Sequence, residues 1–183
     1  MKDPLLIIGC GLAGTGKSEF LKKLASKYDN LVYLDKDTIN NAFLLDRDFN
    51  PKRSYDFYKE HVKLQTYKAM FEIAKDNLLL DKSVILDGYF INKLKTPLFD
   101  KLLNTLSDIP YKLKLIYFYC DKETLWERLK ERKYWRDLDK LEDKVSFDNY
   151  YEKDIEYTNN LKFDLKINTE KDINIVLKES DKF

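Results

Sequence analysis

Short apolar runs alternate with longer stretches of helical spacing along this chain. Leu5-Leu6-Ile7-Ile8-Gly9, Leu31-Val32-Tyr33-Leu34, Val84-Ile85-Leu86, Leu113 to Cys120 and Phe163 to Ile167 are short apolar runs that read as strands, the first and third as buried ones. Between them the spacing predicts helices over Glu19 to Ala25, Thr38 to Leu45, about Tyr55 to Leu80, Lys93 to Leu106 with an interruption near Pro97, Glu123 to Lys133, and Phe147 to Asn160. Thr169-Glu170-Lys171-Asp172 resembles a capping box that opens a last helix, Ile173 to Lys178. Asp46 to Arg53 is expected to be a loop, and Lys133 to Lys144 is very polar with no strand signal. Strands alternating with helices predict an α/β fold: a parallel sheet with helices on both faces, joined by right-handed crossovers.

Composition narrows the picture. The 183 residues suit one domain, expected to span 1–183, with a substantial core. Lys plus Arg total 33 and Asp plus Glu 32, a formal net charge of +1, which is not the footprint of a protein that coats nucleic acid. Cys10 and Cys120 fall in or beside apolar strands and are expected to be buried, reduced thiols. With one histidine, no four-ligand Cys/His zinc cluster is expected. The N-terminal apolar stretch is too short for a signal peptide, and no run approaches a membrane span, so a cytoplasmic location is expected.

The chemistry centres on Gly11-Leu12-Ala13-Gly14-Thr15-Gly16-Lys17-Ser18, which reads G-x-x-x-x-G-K-S between a strand and a helix. This is the phosphate-binding P-loop, whose glycines let backbone N–H groups wrap a phosphate at a helix N-terminus. Gly11, Ala13, Gly14, Thr15, Gly16, Lys17 and Ser18 are expected to bind ATP, with Lys17 on the β- and γ-phosphates and Ser18 on Mg²⁺. Ligands of parallel sheets bind at the carboxyl ends of strands. That rule gathers Asp35 and Asp37 after the second strand, Asp87 after the third, and Asn168 and Thr169 after the fifth. Asp87 is placed to hold Mg²⁺ or orient an acceptor, Asp35 and Asp37 to cap a helix or to take a hydroxyl proton, with Asp37 favoured as the base. Asn168 is placed to touch adenine. Arg128, Arg132 and Arg136 are spaced four apart and would share one face of a continued helix, a lid at about 128–145 bringing cations over the transferring phosphate. Trp135 is a weaker candidate to stack on a base or sugar, and His61 reads as a surface or packing residue.

The run Ile8 to Ser18, the acids after the second and third strands, and Leu125-Trp126-Glu127-Arg128-Leu129-Lys130-Glu131-Arg132 together resemble the P-loop kinases of the polynucleotide-kinase-like and gluconate-kinase-like group. The resemblance implies a three-layer P-loop NTPase fold with strand order 2-3-1-4-5 and a helical lid, ATP-dependent transfer to a hydroxyl, Asp37 as general base, and lid arginines at Arg128 and Arg132. The family's arginine that contacts the acceptor is Asn40 here, a departure that bears on the acceptor, nucleic acid in particular.

The function expected is an ATP- and Mg²⁺-dependent kinase acting on a hydroxyl of a small molecule or of a nucleic-acid 5′ end; the near-neutral charge favours the small acceptor. A nucleoside-monophosphate kinase and a non-catalytic ATP-binding or switch protein are the alternatives. Against a GTPase switch, Asn92-Lys93-Leu94-Lys95 lacks the aspartate of N-K-x-D.

Overall fold

The computed structural model describes residues 3–43, 56–134 and 137–171. The expected loop over 46–53, the last helix over 173–178, and Trp135 and Arg136 lie outside the described residues. Five strands, β1 (Leu5–Cys10), β2 (Leu31–Asp35), β3 (Ser83–Asp87), β4 (Lys112–Tyr119) and β5 (Leu165–Asn168), form one parallel sheet in the order β2-β3-β1-β4-β5. This is the α/β fold and strand order expected.

Alternation along the strands feeds two cores. Leu6, Ile8 and Cys10 of β1 with Val84 and Leu86 of β3 face α3 (Lys63–Leu78) and α4 (Pro97–Asn104), burying Met70, Phe71, Ala74 and Phe99. On the other face, Ile7, Ile85, Ile116, Phe118 and Ile167 pack on Phe20, Leu21 and Leu24 of α1 (Lys17–Ala25). A third cluster roots α5 (Lys122–Arg132) and α6 (Lys144–Thr158) beside the loop after β1, through Leu12, Cys120, Leu125, Leu129 and Phe147.

Some boundaries move for identifiable reasons. Helix α2 spans Lys36–Ala42 and begins directly at the end of β2, not at Thr38. The carboxylate of Asp35 accepts from the Asp37 N–H at 3.0 Å and from the Thr38 hydroxyl at 2.8 Å, so the last strand residue is itself the N-cap. Pro97 starts a helix instead of interrupting one: Thr96 caps it, and the missing proline N–H is one that a first helical turn leaves unbonded anyway. Ahead of α3, Tyr58–Val62 winds as a π-helical turn. No helix among the described residues is long and apolar enough to cross a membrane.

Candidate active site

Parallel register aligns Gly9 of β1 with Asp87 of β3, and Asp87 with Asp35 of β2. The loops that follow these ends therefore open on one rim. After β1 the chain turns through Gly14 and Gly16, with φ of 90° and 80°, left-handed values that a side chain resists. A Cβ at Gly14 would also come within 2.9 Å of Leu129, so the loop lies pressed on α5. The Thr15 hydroxyl donates to the Leu12 carbonyl at 2.8 Å and closes the turn. Gly16 caps α1 with no side chain of its own, leaving first-turn N–H groups for an anion.

A cleft of about 690 Å³ forms here. Gly11–Ser18, Asp35, Asp37, Asp87, Arg128 and Arg132 all line it. The acids and the phosphate loop, distant in the chain, thus share one cavity.

Asp87 is 1% exposed, and Lys17 Nζ stands 2.7 Å from its Oδ1. The Tyr33 hydroxyl donates to Oδ2 at 2.6 Å. Burial opposes ionisation of Asp87, but the Lys17 ammonium and hydrogen bonds from Lys17, Ser18 and Tyr33 outweigh it and hold the carboxyl below its ordinary value. An ionised carboxylate beside the Ser18 hydroxyl is a pair of hard oxygen donors, a chemistry that fits Mg²⁺.

Asp35 is occupied as the α2 cap, while Asp37 sits in the first turn of that helix. Asn40 is fully buried and does not line the cleft. Its amide donates to Asp37 Oδ1 at 3.4 Å, and its own Oδ1 accepts the Thr66 hydroxyl at 2.7 Å, so it acts on Asp37 from behind.

Arg128 reaches across to β5: its guanidinium donates to Thr169 Oγ1 at 3.1 Å and to the Thr169 carbonyl at 3.2 Å. Arg132 pairs with Asp137, donating from Nε at 3.0 Å and also from Nη2. Asp137 is 1% exposed and takes Lys140 on its other oxygen at 2.7 Å. Asn168 does not line the cleft; its Oδ1 accepts the Glu170 N–H at 2.9 Å. His61 is an exposed residue beside Glu60. Cys10 and Cys120 are free, buried thiols, both pushed upward by burial, Cys120 to about 11.

Sequence reasoning missed three participants. Tyr33 faces Asp87 from mid-strand; Asp137 lies in a polar stretch where only tertiary packing singles it out; and the Tyr150 hydroxyl accepts the Ala13 N–H of the phosphate loop at 3.0 Å.

A family model described as an AAA domain matches residues 6–145. Among solved structures, shikimate kinase from Bacteroides thetaiotaomicron superposes with a TM-score of 0.66 at 14% identity, covering 97% of each chain. A gluconokinase from Sinorhizobium meliloti 1021 gives 0.59 at 14% identity, over 98% of this chain and 91% of that one. A chain of the Pnkp1/Rnl/Hen1 RNA repair complex gives 0.59 at 18% identity, over 89% of this chain and 48% of that one. At such identities the likeness is one of fold. No curated protein matches by sequence.

Proposed function

The chain belongs to the family that this AAA-domain model describes, and from that premise we propose that it is an ATP-dependent phosphotransferase, a kinase that moves the γ-phosphate to a hydroxyl group. One observation carries the reading: the Asp37 carboxylate lines the same cleft as an intact phosphate loop with its Lys17 and Asp87.

In this reading Gly14, Thr15, Gly16 and Lys17 cradle the phosphates through backbone N–H groups and one ammonium. Ser18 and Asp87 hold Mg²⁺, which neutralises charge on the phosphate oxygens. Asp37 accepts the proton of the incoming hydroxyl, and Asn40 fixes the carboxylate's orientation. Arg128 and Arg132 place cations where charge spreads over the equatorial oxygens. The segment at about 128–145, rooted on Leu125 and Leu129, acts as a lid that excludes water. Shikimate kinase and gluconokinase among the similar folds, both named for small-molecule acceptors, support a small acceptor over a nucleic-acid 5′ end.

The test is transfer of label from γ-labelled ATP across sugars, hydroxy acids, nucleosides and 5′-hydroxyl oligonucleotides, with Lys17→Ala as control. Label on an acceptor, absent in the control, is expected. ATP binding with label released only to water would overturn the assignment.

A further inference from the structure

Lys63 and Lys153 line the cleft, and neither makes an ion pair with any described residue; nor does Lys93, which neighbours Lys63. Burial and the nearby Lys63 ammonium push Lys93 below its ordinary value, and Lys93 itself does not line the cleft. Next to Lys93, Asn92 also lines the cleft, and its Oδ1 is buried with no hydrogen-bond partner. An unpaired buried acceptor awaits a donor.

Topology assigns Lys63 and Asn92 to the Asp37 wall. Lys63 lies one turn ahead of Thr66 on α3, and Thr66 holds Asn40, which holds Asp37. The Tyr67 hydroxyl donates to the Tyr89 carbonyl at 2.6 Å, tying α3 to the segment that carries Asn92. Lys153 enters from α6, one turn beyond Tyr150.

We infer that the acceptor is a small polyhydroxylated anion, with a carboxylate or phosphate held by Lys63 and Lys153 and a hydroxyl donating to Asn92 Oδ1. This rests on the phosphotransferase reading and names its substrate class. The reacting hydroxyl gives its proton to Asp37. Its oxygen bonds to the γ-phosphorus as the bond from that phosphorus to the β,γ-bridging oxygen breaks, and ADP leaves with the electron pair. An oligonucleotide is anionic too, but a net charge of +1 provides no extended basic track for its backbone.

The experiment saturates the phosphate loop with AMP-PNP and Mg²⁺ and follows binding calorimetrically at fixed ionic strength. The probes are glycerate against glycerol, gluconate against glucitol, glucose 6-phosphate against glucose, and a 5′-hydroxyl hexanucleotide. At least one small anion binds and its neutral counterpart does not. Lys63→Met weakens that binding roughly tenfold or more, the loss of a charge-assisted contact, while Lys63→Arg retains it and AMP-PNP affinity holds in both. Equal binding of the neutral partners, indifference to Lys63→Met, tighter binding of the hexanucleotide than of any small anion, or no binding of any small anion overturns the inference alone. Failure of AMP-PNP to bind the unmodified chain overturns the phosphotransferase reading, and this one with it.

Discussion

Lys17 and Asp87 form a buried ion pair, Nζ to Oδ1 at 2.7 Å, with side chains 10% and 1% exposed. The lysine that the phosphate loop supplies is therefore held by the very carboxylate that the third strand supplies. Neither charge is left unbalanced in the low-dielectric floor of the cleft, and the Tyr33 hydroxyl satisfies the second oxygen. The pair fixes the position of the ammonium, and in the proposed reaction a phosphate would meet it there without a rotamer search.

Removing one partner strands the other. Lys17→Met leaves the Asp87 carboxyl buried without its cation, a loss of about 3–5 kcal/mol. The double variant Lys17→Met/Asp87→Asn recovers most of that stability, since no charge remains, yet stays inactive in transfer. Chemical denaturation and labelled-ATP transfer on the three proteins check this. Equal stability of the single and double variants would show that the pair carries no coupling.

Asp35 and Asp37 separate by role. Asp37→Asn lowers kcat by about 10²–10⁴, the range for losing a general base, with ATP affinity kept. Asp35→Ser preserves the α2 cap and most of the stability, while Asp35→Ala loses about 1 kcal/mol. If Asp35→Ser proves as inactive as Asp37→Asn, the two roles are not divided as the geometry divides them.

Much of this site was legible because its chemistry fixes residue identity at fixed spacing. A loop that turns its amides inward demands glycine at Gly14 and Gly16, and a strand-end acid demands the apolar run before it, as in Val84-Ile85-Leu86-Asp87. The expectation that one of Asp35 and Asp37 caps a helix was met, but only the structure shows which, because an N-cap is defined by hydrogen-bond geometry. Asp137 had no signal: it stands among exposed charges, and its burial arises from packing with Arg132 and Lys140. Asn168 was placed at the right strand end, but its side chain turns to the Glu170 N–H, a local bond that strand-end position does not reveal. The π-helical turn at Tyr58–Val62 likewise leaves no periodicity that distinguishes it from the helix it precedes.

Asp154 predicts a pH dependence. It is 2% exposed, the Tyr117 hydroxyl donates to its Oδ2 at 2.9 Å, and Oδ1 has no partner among the described residues. Burial, only partly offset by the Tyr117 and Tyr89 hydroxyls, pushes its carboxyl up to about 6 from an ordinary 3.8. Between those values the folded chain binds more protons than the unfolded one, so this residue's contribution to stability falls as pH rises from about 4 to 6 and is flat above. Asp154→Asn removes that fall. The variant gains at most about 3 kcal/mol at pH 7.5 and nothing below about pH 4. Thermal midpoints of both proteins across that interval check it, and parallel curves would sink it. Asp87 has the opposite sign, its contribution being lost only as pH drops through its lowered value.

Tyr150 ties the phosphate loop to α6. Its hydroxyl accepts the Ala13 N–H at 3.0 Å, and the Lys140 ammonium lies 5.3 Å from its ring centre. Lys140 in turn shares Asp137 with Arg132, so one chain of contacts runs from the loop to Arg132. Tyr150→Phe deletes the acceptor and keeps the ring. The loop then loses one of the bonds that hold it ready for phosphate, a loss of about 1 kcal/mol. In the proposed reaction the loop would grip the phosphates in ground state and transition state alike, so the loss would fall on uniform binding. KM for ATP rises about fivefold and kcat changes less than about twofold. Steady-state kinetics with any accepted hydroxyl compound read the two constants separately. A fall in kcat at unchanged KM would mean that the hydroxyl touches the transferring phosphate itself, and that Tyr150 belongs with Asp37 among the groups that meet the reacting atoms.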